Sequence, residues 1–477
     1  MTQTSINWAA RTLTTVGVLA ALVVATLPAA PAAATPSRVA GLGPKWTSLM
    51  HGDLASTDTT GYRGPGRTAR LAASSVPGGP CAATFIGSDG YPVSLCTNVI
   101  AEQPGDPAPQ FAVPVVTLFH PKTAAVLARL PLAKGGLLGG VYGYLDDANR
   151  IVVADGTGAI LKVAHRRTGA GWQLYVADRI DISQHLGSDA VTGLAPDGEG
   201  RIWWVTTGGI VGTVADGKRI ASTHLPRGEQ MGNGLSVRPG GVSVLSTHAL
   251  YEMWAQADGV PRTVWRRTYD RGPGRKPGQL TWGSGTTPTY FGPGGDAWVA
   301  IVDNARVPRL HVLRSADGSP VCTLRAFDQP KQGTENSPMA WGNSIVIPST
   351  YGFGYPPMAE SGGPTVPAPF LGAMTRIDVV DGRCTRVWSS SDRMATLPRL
   401  STADGLIHAL GYGPYQPGPQ QVGPVNYVAV DFGTGRRVTT LPVGTAPVDE
   451  PLQLTGMIAP DGSLWQGTFG RMLRIAP

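Results

Sequence analysis

Ala190–Thr206 reads AVTGLAPDGEGRIWWVT, and Gly208–Leu225 continues GGIVGTVADGKRIASTHL. The stretch holds a short apolar run, an Asp-Gly turn, a strongly apolar run, a Gly-Gly break, and two further runs around a second Asp-Gly turn. That is the signature of four short antiparallel strands joined by tight turns. The same layout returns in Gly234–Thr247 (GLSVRPGGVSVLST), in Thr287–Asp303 (TPTYFGPGGDAWVAIVD) and in Leu454–Thr468 (LTGMIAPDGSLWQGT) followed by GRMLRIAP. Less regular copies begin near Gly140, Ser337 and Leu397, and a first copy spans Cys81 to Leu132. A period of roughly 40 to 50 residues is that of a four-stranded propeller blade.

The expected fold is therefore all-β, a β-propeller of four-stranded blades, with eight blades preferred and seven the alternative. Two packed β-sandwiches are the competing architecture, but they do not explain a repeat that continues to the final residue. The last copy stops after its third strand. A strand from the N-terminal segment, near Trp46–Leu49 or Thr68–Ser74, is expected to complete it and close the ring. With 64 Gly and 42 Pro the chain invites a disordered reading, yet Trp, Ile, Val and Leu sit inside the alternating runs and supply a core.

Residues 1–34 read as a secretory signal peptide: Arg11 in the first dozen residues, the apolar run Val16–Thr26, then small residues ending in Ala32-Ala33-Ala34. The apolar run falls short of the ~20 residues a spanning helix needs, so no membrane span is expected. The organisation is then a leader at 1–34, an N-terminal segment at 35–80 that contributes the closing strand, and the propeller at 81–477, in a secreted, monomeric protein. Four cysteines suit an oxidising compartment. Position favours Cys81–Cys96 across a hairpin and Cys322–Cys384 in matching places of successive repeats, with free buried thiols as the alternative. Net charge is +7, or +6 once Arg11 is removed, and the basic residues cluster only in Arg262–Lys276 (RTVWRRTYDRGPGRK). No nucleic-acid fold signature accompanies that cluster, so nucleic acid is not an expected partner.

Tyr427–Val438 (YVAVDFGTGRRV), Arg376–Val387 (RIDVVDGRCTRV) and Trp46–Asp53 (WTSLMHGD) resemble the secreted bacterial propellers of the quinoprotein-like (PQQ-like repeat) superfamily. The resemblance covers nearly the whole mature chain and implies the fold. Members that use pyrroloquinoline quinone place an adjacent cysteine pair over it. This chain has no Cys-Cys, which argues against PQQ.

In a propeller the loops entering each first strand, and those joining second to third strands, gather at one mouth of the channel. The first set offers Asp189, Asn233, Thr287, Glu335, Asn336 and Glu450, and the second Asp303, Asn304, His248 and Tyr351. Oxygen donors Glu335, Asp303, Asn336, Asn233 and Asp189 suit a hard cation such as Ca²⁺, in an arrangement similar in kind to the single-metal site of gluconolactonase-like propellers. The bland reading of the same Asp and Asn residues is that they cap turns. His248 beside Glu335 or Asp303 would serve as general acid or base, with Lys276 gripping an anionic group. His51, Asp53 and Asp58 would cross the channel. The long loops Ser349–Ala373 and Gly411–Gly423 carry Tyr351, Phe353, Tyr355, Tyr412 and Tyr415, which suit stacking on a sugar. The partner expected is a small polar molecule or glycan, handled by a metal-assisted hydrolase, lyase or isomerase. A non-catalytic binding or cell-envelope protein is the alternative, and a quinone-dependent oxidoreductase the third.

Overall fold

In the computed structural model, residues 1–2, 39–135, 142–329, 331–414 and 423–477 are described. Two compact units separate at Ser37/Arg38. Of the first, Met1–Ser37, only two residues are described, so the leader expected at 1–34 lies outside the described residues. The second, Arg38–Pro477, is an eight-bladed β-propeller of four-stranded antiparallel blades. The innermost strands are Cys81–Ile86, Tyr144–Leu145, Val191–Pro196, Ser236–Arg238, Thr289–Phe291, Met339–Trp341, Arg399–Ser401 and Met457–Ile458. We number the blades 1 to 8 in that order.

Burial explains why the second strand of each blade is apolar on both faces. Ile202–Thr206, Gly241–Leu245 and Ser344–Pro348 are buried at every residue. A blade packs face to face with a neighbour on each side, so its middle strands have no wet face. The outermost strands do, and Arg383–Ser390 alternates between exposed and half-buried.

Closure falls to the N-terminal segment. Arg70–Ser75 pairs antiparallel with Met472–Ala476 and becomes the fourth strand of blade 8. The second of the two expected closing segments is thus the one used. The other, around Trp46–Leu49, has a different role: residues 43–60 run inside the ring. Ile86 of blade 1 donates its amide to the Thr47 carbonyl (3.0 Å), Leu145 of blade 2 to Ser48 (2.8 Å) and Val237 of blade 4 to Leu54 (2.6 Å). Tyr290 of blade 5 donates to Ala55 (2.9 Å), Ala340 of blade 6 to Thr57 (2.9 Å) and Leu400 of blade 7 to Asp58 (3.0 Å). Blade 3 is reached through Tyr142, whose carbonyl accepts from Leu194 (2.9 Å). Arg399, 1 % exposed, ties this plug to blade 8 by bonds to the Met50 carbonyl and to Thr455 (3.0 Å). Each inner strand would otherwise present unpaired amides to the channel, which is costly away from water.

Both disulfides are as expected. Cys81–Cys96 staples the first two strands of blade 1, and Cys322–Cys384 joins the outermost strands of blades 5 and 6. No described helix is long and apolar enough to cross a membrane. Two outcomes are expected. A chain starting at Val76 lacks both plug and closing strand and should lose its cooperative urea transition. The Cys322→Ser/Cys384→Ser pair should keep that transition but lower stability by about 2–4 kcal/mol, since a cross-link spanning 62 residues no longer restrains the unfolded chain.

Candidate functional site

The expected site residues separate into two groups. Asp303 and Asp189 cap turns. Asp303 accepts from the Arg309 amide (2.8 Å) and the Ala305 amide (3.2 Å) and pairs with His311 Nε2 (2.8 Å). Asp189 accepts from the Gly208 amide (2.7 Å) and the Ala190 amide (3.0 Å). Asn304 donates to the Arg271 and Gly274 carbonyls. In place of the expected Glu335 or Asp303, His248 meets Thr247 Oγ1 (3.0 Å) and Arg271, whose Nη1 donates to its Nε2 (2.7 Å). Burial and the neighbouring Arg271 charge hold this imidazole below its ordinary pKa. Lys276 is spent on the Ala305 (2.6 Å) and Gln332 (3.3 Å) carbonyls, and burial pushes it down to about 8. Among the described residues no three His, Cys, Asp or Glu side chains gather as a metal cluster, so Glu335, Asp303 and Asp189 do not converge.

Glu335, Asn336, Asn233 and Thr287 form the second group, at the mouth. Two loops lock together over Glu335, one running 269–286 and the other 349–373. The Gly352 amide donates to Pro277 O (3.0 Å), Ser361 to Leu280 O (2.7 Å), and Arg275 pairs with Glu360 (2.9 Å). Glu335 joins both loops, donating its own amide to Thr350 Oγ1 (2.8 Å) and accepting from the Leu280 amide on Oε2 (3.1 Å). Gly285 permits this approach, because a Cβ there would lie under 3 Å from the Glu335 carboxylate and backbone. Tyr351 stands on the same cover, half-buried beside Gly333.

Glu335 Oε1 is buried and has no hydrogen-bond partner. Burial raises this carboxyl to about 8, against smaller opposing effects of the Leu280 amide and Arg275. A neutral carboxylic acid is thus held at the mouth near neutral pH. Tyr142, which sequence reasoning missed, comes next along the axis. Its hydroxyl donates to Asn233 Oδ1 (3.4 Å), and burial followed by the Glu335 charge pushes the phenol up. Thr287 Oγ1 lies beside that phenol, buried, without completing a hydrogen bond. Gly234 leaves room for the Tyr142 ring. Asn336 Nδ2 donates to Gln453 Oε1 (2.8 Å), linking blade 6 to the approach to blade 8. Tyr142 sits in the loop entering blade 2, so the placement rule that found Asn233 and Glu335 would have found it too. Of the second tyrosine loop, Tyr415 lies outside the described residues. Tyr412 is buried and donates to Glu450, which burial raises to about 7.

No protein-family model and no curated protein matches this sequence. Solved structures do share its fold. The quinohemoprotein alcohol dehydrogenase from Comamonas testosteroni aligns over 91% of this chain and 80% of its own, with a TM-score of 0.58 at 12% identity. A europium-containing methanol dehydrogenase aligns over 90% and 97%, with a TM-score of 0.54 at 12% identity. At such identities the likeness is one of fold alone, that of a β-propeller.

A pH dependence follows from Glu335. Its folded-state pKa lies above its unfolded value, so the native state binds the extra proton between pH 4.5 and about 8. Stability is fully present below that window and falls as pH rises through it, by at most about 1.4 kcal/mol per pH unit. Glu335→Gln should flatten the decline in melting temperature between pH 5 and 8, leaving a smaller decline, ending near pH 7, that belongs to Glu450.

Proposed function

We propose that this chain is an exported propeller that binds a small polar, carbohydrate-like ligand at the channel mouth. In this reading Glu335 acts as a neutral carboxylic acid toward the ligand. The observation that carries it is the partnerless, buried Oε1 of Glu335 under two interlocked loops. A buried polar atom left unpaired costs about 1–3 kcal/mol, and a ligand oxygen accepting from the carboxyl would remove that cost. Thr287 Oγ1 is the second buried group free to bond, and Asn233 and Asn336 supply amides nearby. The two disulfides are compatible with export. A protonated Glu335 also suits general-acid catalysis, in which it gives its proton to a leaving oxygen. Of the five-residue cation set, only Glu335, Asn336 and Asn233 remain at this mouth.

A flat quinone has no part in this reading. Neither disulfide joins adjacent cysteines, and the axis beneath the mouth carries the Tyr142 ring stacked on His51 (5.9 Å between centroids).

The test is saturation-transfer NMR of the protein with D-glucose, D-galacturonate and D-glucono-1,5-lactone, with Ca²⁺ alone as a separate arm. At least one sugar should bind, and Glu335→Ala or Thr287→Val should weaken it about tenfold, the size of one lost hydrogen bond. Turnover of the lactone or uronate would make the protein an enzyme, and binding without turnover a receptor. A melt raised by Ca²⁺ in the wild type but not in Glu335→Gln would place a cation at the mouth. No response to any probe, with both variants like the wild type, sinks the reading.

A further inference from the structure

The plug carries an arrangement that the mouth does not use. Both oxygens of Asp58 lie against His51 Nδ1, at 3.0 and 2.9 Å, and all three atoms are buried. A carboxylate only accepts, so Nδ1 carries the hydrogen and a neutral ring keeps its lone pair on Nε2. Asp58 is fixed in turn, since Arg399 Nη1 stands 3.4 Å from Oδ1 and the Leu400 amide holds the Asp58 carbonyl. His51 Nε2 is buried without a partner. His51 lines a small cavity on the axis with Asp53, Ser56, Tyr142 and Gly143. The cavity volume, about 20 Å³, accommodates one water-sized group, for which roughly 10–15 Å³ is the minimum. Asp53 is not a competing base, because its oxygens already accept from the Thr57 amide and hydroxyl. Tyr142 connects the two places: its ring stacks on His51 (5.9 Å between centroids) and its hydroxyl reaches Asn233 at the mouth (3.4 Å).

We propose that His51 is the Brønsted base of the axial site, taking through Nε2 the proton of a hydroxyl group that enters this cavity. The O–H bond breaks with its electron pair left on the oxygen, an N–H bond forms on Nε2, and the resulting imidazolium keeps its Nδ1 hydrogen on Asp58, which Arg399 backs. The hydroxyl's carrier is the small polar ligand proposed above, so that part rests on the preceding reading, whereas the dyad itself does not.

Nitrogen-15 NMR of histidine-labelled, ligand-free protein tests the dyad directly. At neutral pH the His51 signal should show hydrogen on Nδ1 and a lone pair on Nε2. Asp58→Asn, still folded by its melting transition, should move the ring toward a mixture of tautomers. Hydrogen on Nε2 in the wild type, or a tautomer untouched by Asp58→Asn, overturns the proposal. Should Asp58→Asn not fold, His51→Gln replaces it. D-glucose binding should then weaken about tenfold while the melt stays within a few degrees of wild type. Unchanged affinity in that variant also overturns it. The expected tautomer in a protein that binds none of the sugars would support the dyad and sink only the small-ligand reading.

Discussion

A propeller's innermost strands are edges, and an edge exposes amides that must find acceptors. Most of this molecule's particular features follow from how those edges are filled. Residues 47–58 offer carbonyls to inner-strand amides of blades 1, 2, 4, 5, 6 and 7 in sequence order, so a single chain segment visits the ring almost blade by blade. The channel is thereby closed at the level of the first hairpin turns and left open to chemistry only above. The same segment then leaves the axis and becomes the fourth strand of blade 8. Filling the centre and closing the perimeter are one event, because fewer than a dozen residues separate the end of the plug from the closing strand.

A plug of backbone alone would need no charged groups. This one carries His51, Asp53 and Asp58, and Arg399 reaches inward from blade 7 to meet them. Taking an ion pair out of water is expensive unless its remaining bonds are satisfied, and replacing such pairs by apolar residues is often neutral or stabilising. Packing therefore does not require this set. Asp58 and Arg399 together organise one imidazole, whose Nε2 is left without a partner. The two groups differ in kind: the Glu335 carboxyl is held in its neutral form by burial, while Asp58 stands against a histidine and a guanidinium.

What could be read from the sequence was what repeats or acts locally. Asp-Gly turns and apolar second strands gave the blade architecture, because each depends on residues within a few positions of one another, and the unfinished last repeat called for a closing strand but left two segments to supply it. The disulfides were legible for the same reason, since matching places in successive repeats become neighbours in space. The plug was not legible: residues 47–58 bond to six blades, and no local pattern records contacts spread over more than 300 residues of sequence. Asp303 and Asp189 illustrate the opposite error. They stood where ligands gather, yet an Asp at a strand end finds backbone amides two to twenty residues away, and those claim it first.

Glu335 escaped that fate for a reason that bears on how the site works. The loop that covers it supplies one amide, from Leu280, to Oε2, where Gly285 also packs close, and Oε1 is left buried without a partner. A turn-capping carboxylate is stabilised as an anion by several donors, whereas a carboxyl given one donor and enclosed is driven to its neutral form. The cover is itself held by the Arg275–Glu360 pair and by the Thr350 hydroxyl on Gly278, neither of which touches Glu335's free oxygen. The solvation of Glu335 is thus set by the cover and not by its own local fold, and the proton on that carboxyl is coupled to how fully the mouth is shut to water. A ligand that seals the mouth would raise the affinity for that proton. By thermodynamic reciprocity, protonation would favour the sealed, ligand-bound state.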